Sequence, residues 1–556
     1  MIFTGAQNVS TEPIEPNPMS IGWVNYHPLA VFLPRLLSRP AWSIILAGAG
    51  LLGLFISLLA AVQFATPALA GNDGYYHIKL AQVMREQGLR PPFPWLPLTV
   101  LNPEAYVDHH FLYHVLLIPF TYGDLRLGAK WATVILPAFT FLVGWILLRG
   151  QRVPYAALWS LGFLAISDAF LYRMSMARAQ SVSLLILLLA LHLTLVRRYR
   201  WLLPLSFLYV WLYDAFPLML LVTGSYVAAR LCLDRRFEPA PLLYAGLGVG
   251  LGLLINPYFP DNLLFIYHHL FPKLTDATAT SVGKEWYPYQ TWTLVENSGL
   301  ALLLFGAGTF ALGLQERRMD VRTATTFLLC LLFGAMLFKS RRFVEYFPAF
   351  VLLFAALAWT PLIQAWLKGQ AWRVNLNLPS HQPTFHLHWV APGHVWRPLI
   401  LIGVMMIVLG PALWFTVRET QKSLQDSKPY QSYAAASAWL EANTPARSRV
   451  FQTDWDDFTR LYFYNTHNTY TVGLDPTYMQ LYDAGLYELW IDITRGRVEH
   501  PARDIKETFG ANYVITDLNH TGFLREAKAD PDLHELYRDK YAVIFQVLSQ
   551  DEPQGK

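Results

Sequence analysis

Long apolar runs separated by short polar segments dominate the chain from residue 41 to residue 417. A helix needs about 20 mostly apolar residues to cross a membrane, and roughly eleven segments approach that length and composition. The pattern therefore predicts a polytopic α-helical membrane protein with about 11–13 transmembrane helices. The candidate spans are 41–67, 128–149, 154–172, 180–196, 201–213, 216–233, 240–256, 298–314, 323–338, 345–367 and 396–417.

Residues 418–556 contain no such runs and resemble an ordinary soluble domain. Short segments typical of strands alternate with helical stretches there, so we expect a C-terminal mixed α/β domain. The first apolar run follows a polar leader and precedes functional sequence, which indicates a retained anchor and not a removable signal peptide. The predicted divisions are a leader at 1–40, a membrane domain at 41–417 with outer loops 68–127 and 257–297, and the C-terminal domain at 418–556. The predicted strands lie near 450–453, 470–473, 513–516 and 542–547.

Composition supports lipid as the solvent of the larger part. The chain is 54% hydrophobic and 15% charged, whereas soluble domains average about 45–50% and about 25%. A net charge of +4, scattered over loops, offers no basic stripe for a nucleic-acid backbone. Cys232 and Cys330 both lie in apolar runs, so a disulfide framework is not expected.

Arginine clusters in alternate loops set the expected orientation, because positive charge near span ends stays on the cytoplasmic side. They place the leader in the cytoplasm, and loops 68–127, 173–179 and 257–297 and the C-terminal domain outside. The short apolar segment 111–121 is expected to lie in the outer interface. We therefore predict a multi-pass protein of the plasma (inner) membrane. The clusters are Arg149 and Arg152; Arg197, Arg198 and Arg200; Arg230, Arg235 and Arg236; and Arg317, Arg318 and Arg322.

Three cations break this rule, because Lys339, Arg341 and Arg342 fall on the outer side. A cation held there against the usual bias suggests a function, and a lipid phosphate is the obvious anion at that depth. An arginine fork could hold a phosphate leaving group as its charge develops. The alternative is an ion pair between Arg342 and Glu345 at helical spacing.

Polar residues follow the first span directly, in the segment GNDGYYH. A carboxylate beside aromatic residues at a span end can hold a divalent cation or act as a base on an acceptor. Asp73 is the carboxylate in question, and Tyr76 and His77 are further candidates. The alternative is that Asp73 only caps the helix that begins near Tyr75.

A second polar cluster, YVDHHFLYH, contains Asp108, His109 and His110. Carboxylate and imidazole at this spacing suit a borderline metal such as Mn, whereas Mg prefers more oxygen. The alternative is an interfacial loop whose histidines bond to water or backbone. Farther on, Glu285 is the acid near the middle of a long outer loop, which is either a binding element or a solvated surface loop.

Together these segments resemble the catalytic subunit of oligosaccharyltransferase, in the GT-C superfamily of polytopic glycosyltransferases. The segments are Asn72-Asp73-Gly74-Tyr75 with Tyr76-His77, Ser281-Val282-Gly283-Lys284-Glu285, and Arg341-Arg342-Phe343 with Tyr346. The resemblance implies that Asp73 is catalytic and binds the metal, that Glu285 approaches the same metal, and that Arg342 faces the donor phosphate.

The resemblance also reaches the C-terminal domain, where FGANYVITD is similar to a packing strand of the family. The family recognises its acceptor with a WWDYG motif, and Trp455, Asp456 and Asp457 stand at the matching point without the first Trp or the Tyr-Gly pair. The family's second acidic motif is replaced here by a stretch with Arg178 and Gln180. We therefore hypothesise that Asp108 and His110 complete the ligand set of a Mn or Mg ion with Asp73 and Glu285.

The resemblance implies a glycosyltransferase that moves a sugar or glycan from a polyprenyl-(di)phosphate donor to a protein, lipid or glycan acceptor at the outer membrane face. Protein glycosylation or another cell-envelope role would follow. One alternative is a transferase of single sugars from a polyprenyl monophosphate, favoured by the incomplete WWDYG motif. Another is a transporter or flippase of lipid-linked glycans, which would commonly show internal repeats, and a third is a non-catalytic scaffold.

Overall fold

The computed structural model describes residues 39–275, 284–315, 318–369 and 396–548. Most of the predicted leader and the motif residues Ser281–Gly283 lie outside these ranges. The chain divides into two compact units, Met1–Gly50 and Leu51–Lys556. The predicted boundary at 417/418 falls within a single helix, Trp396–Gln425.

The described chain is mostly helical up to residue 425. In chain order the α-helices are α1 (Arg39–Gln63), α2 (Asp73–Gln87), α3 (Phe111–Leu117), α4 (Leu125–Gly150), α5 (Ala156–Leu161), α6 (Asp168–Met174), α7 (Gln180–Leu195), α8 (Leu202–Leu212), α9 (Leu218–Asp234), α10 (Ala240–Leu254), α11 (Asp261–Thr275), α12 (Thr291–Gly313), α13 (Val321–Lys339), α14 (Phe347–Leu367) and α15 (Trp396–Gln425).

Six of the described helices are long and apolar enough to cross a membrane: α1, α4, α12, α13, α14 and α15. Three further apolar segments, at 111–121, 180–195 and 240–254, are shorter. The chain is thus a multi-pass membrane protein with a core of long helices and several short ones. About eleven candidates were predicted because apolar composition alone does not reveal where a helix ends.

The predicted span 154–172 is not one helix. Helix α5 is followed by a single 3₁₀ turn, Gly162–Leu164, and α6 starts afresh at Asp168. Ser167 has extended backbone angles, and its hydroxyl accepts a hydrogen bond of 3.0 Å from Phe170 N. This N-cap begins a new helix, α6, which ends at Met174. The segment after α6 therefore lies in the polar region of the molecule.

The C-terminal domain contains α16 (Ala434–Asn443), α17 (Phe458–Tyr464), α18 (Thr477–Tyr482), α19 (Ala484–Thr494), α20 (Ala502–Glu507), α21 (Thr521–Ala529) and strands β1 (Arg449–Gln452), β2 (Thr469–Tyr470), β3 (Tyr513–Asp517), β4 (Leu533–Arg538) and β5 (Ala542–Val547). The sheet order is β2-β1-β3-β5-β4. Strand β1 is parallel to β2 and β3, whereas β5 is antiparallel to β3 and β4. The predicted mixed α/β fold is confirmed.

Strand β4 was not predicted from the sequence. Its segment LHELYR buries only Leu533, and the other side chains are exposed or half-buried. An edge strand with polar residues on its open side has too few apolar positions to give an alternating pattern.

The loop at 68–127 is hydrogen-bonded directly to the C-terminal domain. Tyr470 N donates to Trp95 O at 2.9 Å, and Val100 N donates to Tyr478 O at 3.1 Å. Trp95 also belongs to a buried aromatic cluster with Tyr76 on α2 and Phe458 on α17. The start of α2 and the start of α17 therefore pack against each other in one shared core.

Candidate functional site

A cavity of about 590 Å³ lies between the helices of the membrane domain, the loops that connect them and the C-terminal domain. Nine segments that are separate in the chain contribute to its wall. Its polar and charged lining residues are Asn72, Asp73, Tyr76, His77, His109, His110, Arg173, Arg178, Tyr213, Asp214, His269, Glu285, Arg342, Tyr346, Asp456, Asp475 and Tyr478. The two residues on which the sequence-based hypothesis rests, Asp73 and Arg342, thus face one space.

Asp73 is the first residue of α2, and the N-cap is Asn72, whose side chain makes no capping bond. The Asp73 carboxylate is 31% exposed and contacts Arg178, with 3.0 Å between Oδ2 and Nε. A capping role for Asp73 at a helix beginning near Tyr75, the alternative interpretation of the sequence, is therefore wrong. The helix starts earlier, and the carboxylate faces the cavity.

Glycine at position 74 allows the start of α2 to lie close to Ala177. A Cβ on Gly74 would lie 2.9 Å from Cβ of Ala177, closer than real Cβ contacts allow. Gly71 takes φ +68°, a conformation that favours glycine, in the turn before α2. Small residues at these two points let the start of α2 lie against the segment after α6, which places Arg178 beside Asp73.

The Glu285 carboxylate contacts three arginines. Its Oε2 lies 2.8 Å from Arg173 Nη1 and 3.1 Å from Arg178 Nη1, and its Oε1 lies 3.1 Å from Arg342 Nη1. Burial disfavours ionisation of Glu285, but the charges of the three guanidinium groups outweigh it and hold its pKa well below the usual range. Glu285 is therefore a carboxylate that holds three cations in one place.

Backbone contacts fix Glu285 beside Arg342. Glu285 lies in a 3₁₀ turn, Lys284–Trp286, and its carbonyl accepts a hydrogen bond of 2.9 Å from the Ser340 hydroxyl. Arg342 Nη2 donates to the Tyr213 hydroxyl, and its guanidinium lies 4.8 Å from the centre of the Trp286 ring. Aromatic faces and a carboxylate thus orient the Arg342 side chain into the cavity.

Glu345 is fully buried and forms its ion pair with Arg173, not with Arg342. The alternative of an Arg342–Glu345 pair is therefore wrong, because Arg173 from a distant segment takes Glu345 and Arg342 pairs with Glu285 instead. Three guanidinium groups face three carboxylates in and beside this cavity: Arg173, Arg178 and Arg342 against Asp73, Glu285 and Glu345.

The other two predicted phosphate-binding cations lie elsewhere. Arg341 lines a neighbouring cavity of about 500 Å³ and donates to the Pro288 carbonyl at 3.1 Å. Lys339 is exposed at the end of α13. Arg173 and Glu285 line both cavities, so they form part of the wall between them. Of the predicted group, Arg342 is the one that reaches the main cavity.

The histidine cluster is ordered by a buried carboxylate. Asp108 Oδ2 lies 2.7 Å from His114 Nδ1, and His114 Nε2 lies 2.7 Å from His77 Nδ1. His77 and His110 line the cavity. Burial, aided by neighbouring histidines and by Arg178, lowers the pKa of both well below the usual range, so both imidazoles are neutral at pH 7. Asp108 itself does not line the cavity, and its carboxylate contacts the His114 ring.

The predicted metal ligands Asp73, Asp108, His110 and Glu285 do not fit a cation in this arrangement. Guanidinium groups contact Asp73 and Glu285, and Asp108 is turned to His114. Arg178 stands between the two carboxylates where a cation would be expected. Among the described residues, one group does place three ligand atoms within 4.8 Å of one another: His109, Asp214 and His269.

The predicted acceptor residues divide between two environments. Trp455 and Asp456 line the cavity, and Asn72 Nδ2 donates to Asp456 Oδ2. Asp457 is buried on the other side of the turn, where it accepts hydrogen bonds from Lys428 at 2.8 Å and from the Tyr433 hydroxyl. Burial first, and then the charge of Asp73, raises the pKa of Asp456 to about 7.

Several cavity residues were not predicted from the sequence. Arg173 and Arg178 lie in the short segment 173–179, which the arginine pattern predicts to be outside, so they break the same charge bias that singled out Arg342. That signal could have identified them. No comparable signal marks Tyr213, Asp214, His269 or Tyr478, because each is a single polar residue in a separate segment.

Structural comparison finds solved structures that are similar to this chain, although no protein-family model and no curated protein sequence matches it. The Archaeoglobus fulgidus oligosaccharyltransferase AglB, in complex with an inhibitory peptide and a dolichol-phosphate, is 14% identical with a TM-score of 0.59, covering 91% of this chain and 75% of that one. Another structure of the Archaeoglobus enzyme, with zinc and sulfate, is 12% identical with a TM-score of 0.56, covering 91% and 74%.

Two other similar structures are also membrane glycosyltransferases. ArnT from Cupriavidus metallidurans, bound to undecaprenyl phosphate, is 16% identical with a TM-score of 0.51, covering 93% of this chain and 100% of that one. The mycobacterial arabinofuranosyltransferase AftD is 13% identical with a TM-score of 0.51, covering 93% and 40%. The chain therefore has the fold of the GT-C membrane glycosyltransferases, as its motifs predicted.

Proposed function

We propose that this protein is a membrane glycosyltransferase that transfers a sugar from a polyprenyl-phosphate-linked donor to an acceptor hydroxyl or amide. The observation that carries the proposal is the meeting of Asp73 with Arg178 and Arg342 in one cavity. A base and a set of fixed cations are the two elements that displacement of a phosphate from an anomeric carbon requires. Structures of two proteins with this fold were determined with dolichol-phosphate or undecaprenyl phosphate.

In the proposed reaction the acceptor attacks the anomeric carbon while the bond from that carbon to the phosphate oxygen breaks. The acceptor proton passes to the carboxylate of Asp73, and the phosphate leaves as an anion held by Arg342. Attack on the face opposite the phosphate inverts the anomeric centre. The arginines act most strongly on the departing phosphate, whose charge increases in the transition state.

The contacts of Arg178 link donor binding to activation of the base. Its guanidinium group contacts both Asp73 and Glu285 in this structure. A donor phosphate that competes for Arg178 would weaken its pairing with Asp73 and leave the carboxylate free to contact the acceptor. Glu285 is proposed to position the arginines before the donor binds, instead of contributing to a metal site.

The proposed site lies on the outer side of the membrane, with the leader in the cytoplasm and the C-terminal domain outside. Neither Mn²⁺ nor Mg²⁺ takes part in the proposed steps, because arginines contact the carboxylates that would bind it. Trp455 and Asp456 are proposed to contact the acceptor. Single-sugar transfer from a monophosphate donor is a second candidate, favoured by the incomplete WWDYG motif and by the similarity over the full length of ArnT, whose structure holds undecaprenyl phosphate.

The decisive experiment uses the purified protein in lipid vesicles with radiolabelled polyprenyl-phosphate sugars and extracted envelope lipids and glycans as acceptors. Label covalently attached to an acceptor supports the proposal. Label that only crosses the bilayer indicates a transporter, and label that does neither contradicts both. Parallel monophosphate and diphosphate donors distinguish the two transferase candidates.

The pKa of Asp456 gives a pH-dependent prediction. The carboxyl group is neutral below about pH 7 and charged above it, and a nearby negative charge opposes binding of a lipid phosphate. A unit charge about 10 Å away costs about 1.5 kcal/mol at an effective dielectric constant of about 20, roughly tenfold in affinity. Asp456→Asn should therefore bind undecaprenyl phosphate like the wild type at pH 6 and about threefold to tenfold more tightly at pH 8.

Comparing the two proteins at each pH removes the titration of the lipid phosphate itself. The wild-type to variant ratio, measured by competition with a fluorescent lipid phosphate, should change around pH 7. In a background with Asp73→Asn the change should move to lower pH, because the charge of Asp73 helps raise the pKa of Asp456. A ratio that stays constant from pH 6 to pH 8 would contradict the prediction.

A further inference from the structure

A group of three side chains in the cavity wall is not used by the proposed reaction. His109 precedes α3, Asp214 follows α8, and His269 lies on α11. Their ligand atoms all lie within 4.8 Å of one another. We propose that these three residues bind a zinc-class divalent cation, a site separate from the metal set predicted from the sequence.

The donor set has the chemistry of such a site. Two imidazoles and one carboxylate are a common ligand combination for Zn²⁺, whereas Mg²⁺ and Ca²⁺ prefer oxygen ligands alone. Asp214 is buried, and both histidines are half-buried. A carboxylate with two neutral imidazoles carries a single negative charge, which a divalent cation stabilises.

The distance between two of the ligands, which form an ion pair, is also compatible with a shared cation. His269 Nε2 and Asp214 Oδ2 are 3.3 Å apart. A charge-assisted hydrogen bond between nitrogen and carboxylate is usually about 2.7–2.9 Å long. Two ligands at about 2.0–2.1 Å from a tetrahedral zinc ion are about 3.3–3.4 Å apart. The observed spacing therefore matches two ligands of one ion.

An outer partner orients one of the histidines. The Tyr478 hydroxyl lies 3.0 Å from His269 Nδ1, which leaves Nε2 as the atom directed towards Asp214. Zinc-bound histidines usually bond their second ring nitrogen in this way, because the bond fixes the ring and its tautomer. The His109 ring is held by stacking on Phe265, with ring centres 5.0 Å apart.

All three ligands and Tyr478 line the main cavity. The cation would thus have three protein ligands and a fourth position open to the cavity, for water or a substrate oxygen. It would also join the first outer loop, the end of α8 and helix α11, with Tyr478 of the C-terminal domain as the outer partner. The proposal does not depend on the transferase function, since the site is defined by its ligands alone.

The test measures metal binding directly, in the absence of donor and acceptor. The full-length protein is purified through a histidine-free tag, stripped with EDTA, and titrated with Zn²⁺ against a chromophoric chelator. We expect one Zn²⁺ per chain. Asp214→Asn and His269→Ala should weaken binding by at least the 10–100-fold typical of changes to outer partners, and Tyr478→Phe by about tenfold.

His268→Ala is the matched control, because His268 is the adjacent residue on α11 and its ring contacts Tyr267. It should bind Zn²⁺ as the wild type does. Cobalt(II) in place of zinc should give the visible spectrum of a four-coordinate site, and Asp214→Asn should change that spectrum. If a ligand variant unfolds, Tyr478→Phe still tests the site. Unchanged affinity in Asp214→Asn, or equal losses in His268→Ala and His269→Ala, would overturn the proposal.

Discussion

Asp73→Asn is expected to reduce sugar transfer by about a thousandfold, because asparagine cannot accept the acceptor proton. The change is nearly isosteric, so α2 and the Gly74 contact should persist. Binding of undecaprenyl phosphate should be unchanged or tighter, since a negative charge is removed and Arg178 loses one partner. Single-turnover transfer in vesicles and lipid-phosphate binding, measured side by side, separate the chemical step from donor affinity.

Glu86→Gln is the matched control for this substitution. Glu86 is exposed near the other end of the same helix, where it contacts Arg85. It should transfer sugar at the wild-type rate. If Asp73→Asn retains transfer within tenfold of the wild type, another group takes the proton and the proposed role of Asp73 is wrong.

Arg342→Ala is expected to lower the rate of transfer by about 10²- to 10³-fold, the usual cost of removing one donor that stabilises a developing anion. It should also weaken the binding of undecaprenyl phosphate. Arg342→Lys should recover only part of the loss, because a lysine ammonium cannot replace a planar guanidinium group stacked on Trp286. The measurements are kcat and KM for the donor, with lipid-phosphate affinity measured separately.

Arg85→Ala is a suitable control because Arg85 is also a partly buried arginine next to an aromatic ring, outside the cavity wall. It should affect transfer by less than about threefold, the range of an ordinary surface change. Equal losses in Arg85→Ala and Arg342→Ala would point to a general loss of stability. Normal transfer by Arg342→Ala would contradict a phosphate-binding role.

The positive and negative charges in the cavity are nearly balanced, so a substitution of Glu285 disturbs several ion pairs at once. Glu285 is surrounded by three guanidinium groups, so removing it leaves buried cations that repel one another. Loss of activity in a Glu285 variant would therefore be expected with or without a chemical role. Within the described ranges, Asp73 and Arg342 each have a single ion-pair partner, Arg178 and Glu285 respectively, so their variants are more informative.

Much of the architecture could be predicted from the sequence alone. Six of the predicted spans correspond to long apolar helices, because a lipid core imposes a minimum length that is a property of each segment by itself. The strands near residues 450, 513 and 542 are equally local, since each buries consecutive apolar residues, whereas the strand near 470 is only two residues long. The motifs around Asp73 and Arg342 also identified two residues that face one cavity.

The pairing of charges was decided only by the tertiary structure. Sequence spacing suggested Arg342 with Glu345, and the loss of the family's second acidic motif suggested Asp108 with Asp73 around a metal, whereas the fold joins Arg173 to Glu345 and turns Asp108 to His114. These partners are chosen by which segments pack together, and small contacts such as Ala177 against Gly74 decide that.

The sequence by itself therefore determined that this is a multi-pass membrane protein of GT-C type with a mixed α/β domain at its C-terminus. Only the tertiary structure decided which charged side chains pair in the cavity. It also brought His109, Asp214 and His269 together there. The physical reason is the separation along the chain of the residues that interact. Apolar length and strand pattern act within one segment, whereas an ion pair or a ligand set depends on the relative positions of segments that are distant in the chain.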